Sequence, residues 1–435
     1  MKRKIRLTAC LAIGLIVAAG CGGPGPSSSA KAPSPSRAAS SKAASSPVVS
    51  SSSSAPRTAS SQAESSAPAE GPDGLTLKRK VGQMFFLCFR KDTDGTVLWT
   101  YNGATRKAIR AIQPGGIVLF GENIHTVAQV RSLIGSMKSD CATPPFVGVD
   151  QEGGAVQRIR HTELIPATDV PAMWEVGRTG NAALARQVGE VLGSELTVFG
   201  FNLDFAPVCD VFSNPKNTVI GTRSFSSDPQ TVADRSVALS GGLRSQGIVP
   251  VCKHFPGHGD TEADTHEGYA AVNKTLDELR KTELVPFAAQ IRAGAEMVMV
   301  AHISLPRING DDTPATMSPK VIDGILRGEL GFRGVVVTDA LNMGAVANHY
   351  ASGEAAVRAV QAGADMLLMP EDPQAAFQAV LDAVESGEIS EARVDASAQR
   401  ILALKKKYGL YAEKAPASES LLGSGQHRQV IAQIG

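Results

Sequence analysis

The stretch Lys253-His254-Phe255-Pro256-Gly257-His258-Gly259-Asp260, continued to Asp264-Thr265-His266, gathers one Lys, three His and two Asp within fourteen positions. It follows the apolar run Ile248-Val249-Pro250-Val251-Cys252, which reads as a buried strand. Pro256, Gly257 and Gly259 then break the strand into a loop. These groups bind polar ligands and move protons, and a buried core has no use for them. A metal site of His254, His258, Asp264 and His266 is the competing reading. Lys253 beside it would repel a cation, which argues against that site.

Similar residues end other apolar runs. Asp150 follows Phe-Val-Gly-Val, Asp210 follows Phe-Ala-Pro-Val-Cys, His302 follows Met-Val-Met-Val-Ala, and Asp339 follows Val-Val-Val-Thr. Strand-like runs fall at 84–89, 116–120, 146–150, 202–208, 249–254, 297–302, 335–339 and 366–369. Helical stretches lie between most of them, including 182–199, 231–246, 276–293, 340–347 and 355–362. Eight strands alternating with helices predict a (β/α)₈ barrel with its site at the C-terminal strand ends. A doubly wound open sheet would carry a glycine-rich turn after its first strand, and Phe89-Arg90-Lys91-Asp92 is not one.

The 435 residues are 43% hydrophobic and 20% charged, with a formal net charge of +1, so no general attraction to nucleic acid is expected. Lys405-Lys406-Lys407 reads as a solvated helix end. Lys2, Arg3, Lys4 and Arg6 precede a short apolar segment, Leu11 to Ala19, as in an export signal. Ala18-Ala19-Gly20-Cys21 resembles the lipobox of bacterial lipoproteins, in which Cys21 would be lipidated. Residues 1–21 are thus expected to be a lipoprotein signal, and 22–73, rich in Ser, Ala and Pro, a disordered tether. The folded part would stand outside the cytoplasm on a lipid anchor. Cys88, Cys141, Cys209 and Cys252 form no C-x-x-C pair, which argues against zinc or a redox motif.

Several segments together resemble glycoside hydrolase family 3. They are Gly148-Val149-Asp150-Gln151-Glu152-Gly153-Gly154 with Arg158, Phe205-Ala206-Pro207-Val208 with Asp210, Gly221-Thr222-Arg223-Ser224-Phe225, Lys253 to Gly259, and Thr338-Asp339-Ala340-Leu341-Asn342-Met343. The resemblance covers roughly residues 75–410, and Asp264-x-His266 narrows it to the β-N-acetylglucosaminidase branch. It implies a single catalytic barrel (74–412) followed by a tail (413–435), without metal or cofactor. The implied activity is hydrolysis of terminal β-N-acetylhexosamine, from muropeptides or other amino-sugar glycans. Asp339 would be the nucleophile, His266 the acid/base and Asp264 its orienting carboxylate. Asp150, Arg158, Arg223, Lys253 and His254 would bind the sugar.

The residues also permit plainer roles. Asp339 could cap the following helix, each Arg could form a structural salt bridge, and Glu152 reads as a structural strand-end carboxylate. His302 is expected on the pocket floor. Gly423 to Gln429 resembles the connection into a second α/β domain found in many family members. No such domain is expected to follow, so the acid/base is expected from the barrel loop. Another β-glycosidase, a glycosyl phosphorylase and a non-catalytic sugar-binding lipoprotein are the alternatives; a monomer is expected.

Overall fold

The computed structural model describes residues 74–435 apart from Thr93, His161, 263–269 and Glu413. The expected signal, Cys21 and tether therefore lie outside the described residues, as do Asp264 and His266.

All eight expected strands form: β1 (Phe85–Cys88), β2 (Gly116–Val118), β3 (Phe146–Val149), β4 (Leu203–Asp204), β5 (Val249–Phe255), β6 (Met297–Val300), β7 (Val335–Thr338) and β8 (Leu367–Leu368). Every adjacent pair is parallel, in the spatial order β7-β6-β5-β4-β3-β2-β1-β8. A parallel bridge between Val337 and Met366 joins β7 to β8 and closes the barrel. Runs such as Phe-Val-Gly-Val and Val-Val-Val-Thr are apolar on both faces because one face fills the barrel and the other meets the helices.

Inside the barrel, Phe86 stacks on Phe146 with ring centroids 6.2 Å apart and meets Phe205 edge-on at 5.6 Å. Two glycines make room for this cluster. A Cβ on Gly116 would lie 2.2 Å from the Phe86 ring, and one on Gly148 would lie 2.8 Å from Phe205. The surrounding helices begin where short polar side chains can satisfy their free N–H groups. Asn181 accepts from Ala183 and Leu184 to start Ala182–Phe199. Asp228 accepts from Thr231 ahead of Pro229–Ser245.

Three expectations need correction. The stretch 276–293 splits into Leu276–Lys281 and Leu284–Arg292, because Glu283 turns into the core to meet Lys274 at 2.6 Å. Residues 340–343 form a turn, with helix only at Gly344–Ala347, so Asp339 does not cap a helix. Lys405 is fully buried at the opposite end of the barrel from the strand-end carboxylates, and only Lys406 and Lys407 face solvent. Its Nζ donates to Gln83 Oε1 at 2.6 Å and lies 5.3 Å from the Phe146 ring. The four described cysteines are free thiols.

The C-terminal segment docks on the barrel. Buried Glu195, in the helix after β3, accepts from Gly423 N–H and pairs with His427 Nδ1, both at 2.9 Å. The same carboxylate accepts from the Thr168 amide at 3.0 Å, so one buried anion ties tail, helix and the loop after β3 together.

Burial pushes the Lys405 ammonium down to about 7. Its folded value thus lies below the ordinary lysine range, and protonated Lys405 opposes folding. That cost is full below pH 7 and fades as pH rises toward the ordinary value. Lys405→Met is therefore expected to be more favourable to stability, relative to the unsubstituted protein, at pH 6 than at pH 9. Paired urea melts at the two pH values check this, and a pH-independent difference contradicts it.

Candidate active site

The polar strand ends converge on a cavity of about 590 Å³ at the C-terminal mouth of the barrel. All eight strands or the segments just beyond them reach it. Among its lining residues are Asp150, Arg158, Arg223, Lys253, His254 and Asp339. The structure thus brings together six of the eight residues singled out for catalysis or sugar binding. The other two, Asp264 and His266, lie outside the described residues.

Lys253 and His254 are consecutive on β5, so regular alternation would send them to opposite faces. The register against β6 shifts between Cys252 and Phe255, and both side chains line the cavity. Lys253 Nζ sits 2.7 Å from Asp150 Oδ1 and 2.6 Å from Glu152 Oε1. Burial opposes its charge, but Asp150 and Glu152 more than compensate and raise its pKa.

Glu152 is the hub of this network. Arg223 Nε and Nη2 donate to its two oxygens at 2.8 Å each, a bidentate pair. Burial alone would raise the carboxyl, but Arg223 and Lys253 hold it far below the usual carboxylate range. With both oxygens engaged by cations, Glu152 is a structural anion rather than a proton donor. The salt-bridge role considered for Arg223 is therefore real. Its Nη1 also donates to the Val219 carbonyl at 3.1 Å, and its side chain still borders the cavity.

Arg158 is different. Among the described residues it has no carboxylate within salt-bridge distance, its guanidinium lies 5.8 Å from the centre of the Phe120 ring, and its Nε is buried without a partner. It is a cation exposed to the cavity and not committed to a structural pair.

His254 is aligned from behind. Its Nδ1 lies 2.7 Å from Oδ2 of fully buried Asp210, whose Oδ1 accepts from the His258 amide at 2.7 Å. Asp210 thereby fixes one imidazole orientation and the first turn of the following loop. Burial works against the Asp210 charge, but His254 and His258 hold its carboxyl below its usual value. Asn217 Nδ2 donates to the His258 carbonyl at 2.8 Å, and Lys274 bridges Asp260 and Glu283 at 3.0 and 2.6 Å. The described flanks of segment 263–269 are thus pinned to the barrel.

Asp339 is half-buried at the end of β7. Its amide donates to Val300 O at 2.8 Å, and its Oδ1 accepts from the Ala340 amide at 2.8 Å. Burial raises its carboxyl, but His254, His302, the Ala340 N–H and Lys253 outweigh that and hold it below the ordinary value. Among the described residues no cation forms a salt bridge with it. An ionised carboxylate that is not neutralised by contact remains available as a nucleophile.

His302 is not on the pocket floor. It is fully buried behind Asp339, where Nε2 donates to the Ala340 carbonyl at 3.0 Å and Nδ1 meets Thr316 Oγ1 at 2.9 Å. It fixes the backbone that carries Asp339. Two further residues escaped the sequence reading. Arg90, just beyond β1, lines the cavity and lies 4.6 Å from the Phe120 ring centre. Its place immediately after a strand was the available signal. Asp204, inside β4, lies fully buried, and burial pushes its carboxyl well up toward the neutral form. Nothing in the sequence marks it off from an ordinary strand residue.

Residues 76–404 match the N-terminal domain of glycosyl hydrolase family 3. The chain is 32% identical over 397 residues to beta-hexosaminidase A of Pseudoalteromonas piscicida, covering 83% of this chain and 66% of that protein. It is 43% identical over 271 residues to the beta-hexosaminidase of Stenotrophomonas maltophilia strain R551-3, covering 61% of this chain and 79% of that one. Among solved structures, the family 3 beta-N-acetylglucosaminidase of Paenibacillus sp. str. FPU-7 superposes with a TM-score of 0.77 at 39% identity, over 83% of this chain and 68% of the other.

Glu152→Gln leaves Lys253 and Arg223 facing a neutral amide in a buried setting. It is expected to cost about 3–5 kcal/mol of stability, the usual consequence of breaking a buried ion pair from one side. Chemical denaturation checks this. A cost under about 1 kcal/mol, the range of exposed pairs, would show that the network is solvated.

Proposed function

The chain belongs to glycosyl hydrolase family 3 and is a glycoside hydrolase, and we propose that it removes terminal β-linked N-acetylglucosamine from the non-reducing ends of amino-sugar glycans with retention of configuration. The observation that carries this reading is Asp339. It is an ionised carboxylate free of any salt bridge among the described residues, fixed at the end of a barrel strand and facing a cavity otherwise rich in hydrogen-bond donors.

In this reading an Asp339 oxygen attacks the anomeric carbon as the bond to the leaving oxygen breaks, giving a covalent glycosyl-enzyme. His266 gives its proton to the leaving oxygen. It then takes a proton from the water that attacks the anomeric carbon and releases Asp339. Asp264 orients His266 and favours its protonated form. These two roles rest on the sequence resemblance. Asp150 would accept hydrogen bonds from sugar hydroxyls, while Lys253, Arg223, Arg158 and His254 would donate. Lys253 and Arg223 are already fixed by Glu152, so they lose little freedom when a sugar arrives.

The natural substrate on this reading is a muropeptide or a related cell-wall fragment. The enzyme would act as a monomer outside the cytoplasm, anchored through lipidated Cys21 and held off the membrane by residues 22–73.

Hydrolysis of 4-nitrophenyl N-acetyl-β-glucosaminide against the matching β-glucoside, with and without phosphate, tests the activity. The expected result is selective release from the N-acetylated substrate, independent of phosphate and abolished in a folded Asp339→Ala variant. Activity only on the glucoside, or dependence on phosphate, contradicts it. His266→Ala is expected to slow substrates with poor leaving groups by about 10²–10⁴-fold, the range for general acid catalysis, and good leaving groups much less. Equal losses on both would exclude His266 as the acid.

A further inference from the structure

The loop after β1 carries an aromatic group that the catalytic reading leaves unused. Trp99 is 46% exposed, yet its ring is held in place. Its Nε1 donates to the Glu122 carbonyl at 2.8 Å. Its indole stacks on the His125 imidazole with centroids 4.6 Å apart and planes 13° from parallel. Gln129 Nε2 donates to its carbonyl at 2.8 Å.

The legs of this loop are equally fixed. Fully buried Asn123 places its Nδ2 within hydrogen-bonding distance of the carbonyls of Phe89, Arg90 and Leu98, at 3.0, 3.2 and 3.1 Å. Lys91 and Val97 form an antiparallel bridge.

Trp99 is also linked to the cavity wall. Glu122, whose carbonyl holds the indole, pairs through its carboxylate with Arg90, and Arg90 lies against Phe120. Arg90 and Phe120 both line the cavity. Beside Trp99, Thr96, Thr100 and Asn102 border a shallow groove of about 760 Å³. A rigid, half-exposed indole one residue removed from a sugar cavity, with hydroxyl and amide groups next to it, has the composition of a saccharide platform. The electron-rich face of the ring attracts the C–H face of a pyranose, and the polar neighbours meet its hydroxyls. Because the ring is already fixed, little freedom is lost on binding.

We propose that Trp99 stacks against the sugar on the leaving-group side of the scissile bond, forming a subsite for the second residue of an amino-sugar glycan. This inference rests on the N-acetylglucosaminidase reading. The cavity would hold the terminal residue, and the rest of the chain would leave across the rim built by the loops after β1 and β2.

The test compares N,N′-diacetylchitobiose, whose leaving group is a sugar, with methyl N-acetyl-β-glucosaminide, whose leaving group is too small to reach Trp99. In Trp99→Ala, kcat/KM for the disaccharide is expected to fall about tenfold relative to the methyl glycoside, mainly through KM, as expected for loss of one aromatic packing contact. Trp99→Phe, which keeps a ring, should restore most of the difference. Trp99→Leu keeps apolar bulk without an aromatic face and should behave like Trp99→Ala, which covers the case in which the alanine variant does not fold. Equal effects on both substrates, or no loss on the disaccharide, would overturn the subsite. Failure of the unsubstituted protein to cleave either substrate would instead overturn the activity on which the inference rests.

Discussion

The ammonium of Lys253, buried between Asp150 and Glu152, is the interaction on which the mouth of the barrel depends. Taking a cation out of water costs several kcal/mol unless close anions compensate. Here the compensation draws together β3, β5 and the loop after β4, because Glu152 also binds Arg223. The two cations and two carboxylates balance one another, and the cavity keeps a set of fixed donors. Asp339 stands outside these pairs. It is ionised like Glu152 but, among the described residues, has no salt-bridge partner, whereas Glu152 and Asp150 are held by cations.

Support from behind is as important as the residues in the cavity. Asp210 holds His254 and the amide of His258, and His302 holds the carbonyl that follows Asp339. None of these bonds needs to touch a ligand. Each removes a degree of freedom from a group that lines the cavity, and orientation of this kind is a large share of what an active site contributes. The buried carboxyl of Asp204 accepts from the Gln151 amide at 2.9 Å, which steadies the backbone between Asp150 and Glu152.

Much of the fold was legible in the chain because a parallel barrel writes itself as apolar runs of strand length with polar residues at their ends. Phe146–Val149 and Val335–Thr338 appear where their patterns end. Partnerships were not legible. Arg223 and Glu152 are 71 positions apart, and His254 and Asp210 are 44 apart, so no local pattern could pair them. Local propensity also misled where a tertiary contact overrode it. Lys405 looked like one more solvated lysine, yet it is fully buried, with its ammonium bonded to Gln83 and set near the Phe146 ring. The helical pattern through Glu283 breaks because that carboxylate is drawn inward to Lys274. Asp264 and His266, read from their spacing on the loop after β5, lie outside the described residues.

The central claim is that Asp339 forms a bond to the sugar, and the most direct measurement is to capture that bond. A slow substrate with a fluorinated ring and a good leaving group destabilises the transition state for release and lets the glycosyl-enzyme accumulate. Intact-mass measurement followed by peptide mapping should then show one added glycosyl unit on the peptide carrying Asp339, and none in Asp339→Asn. A label on another carboxylate, or turnover of the slow substrate with inversion and no adduct, would contradict the account.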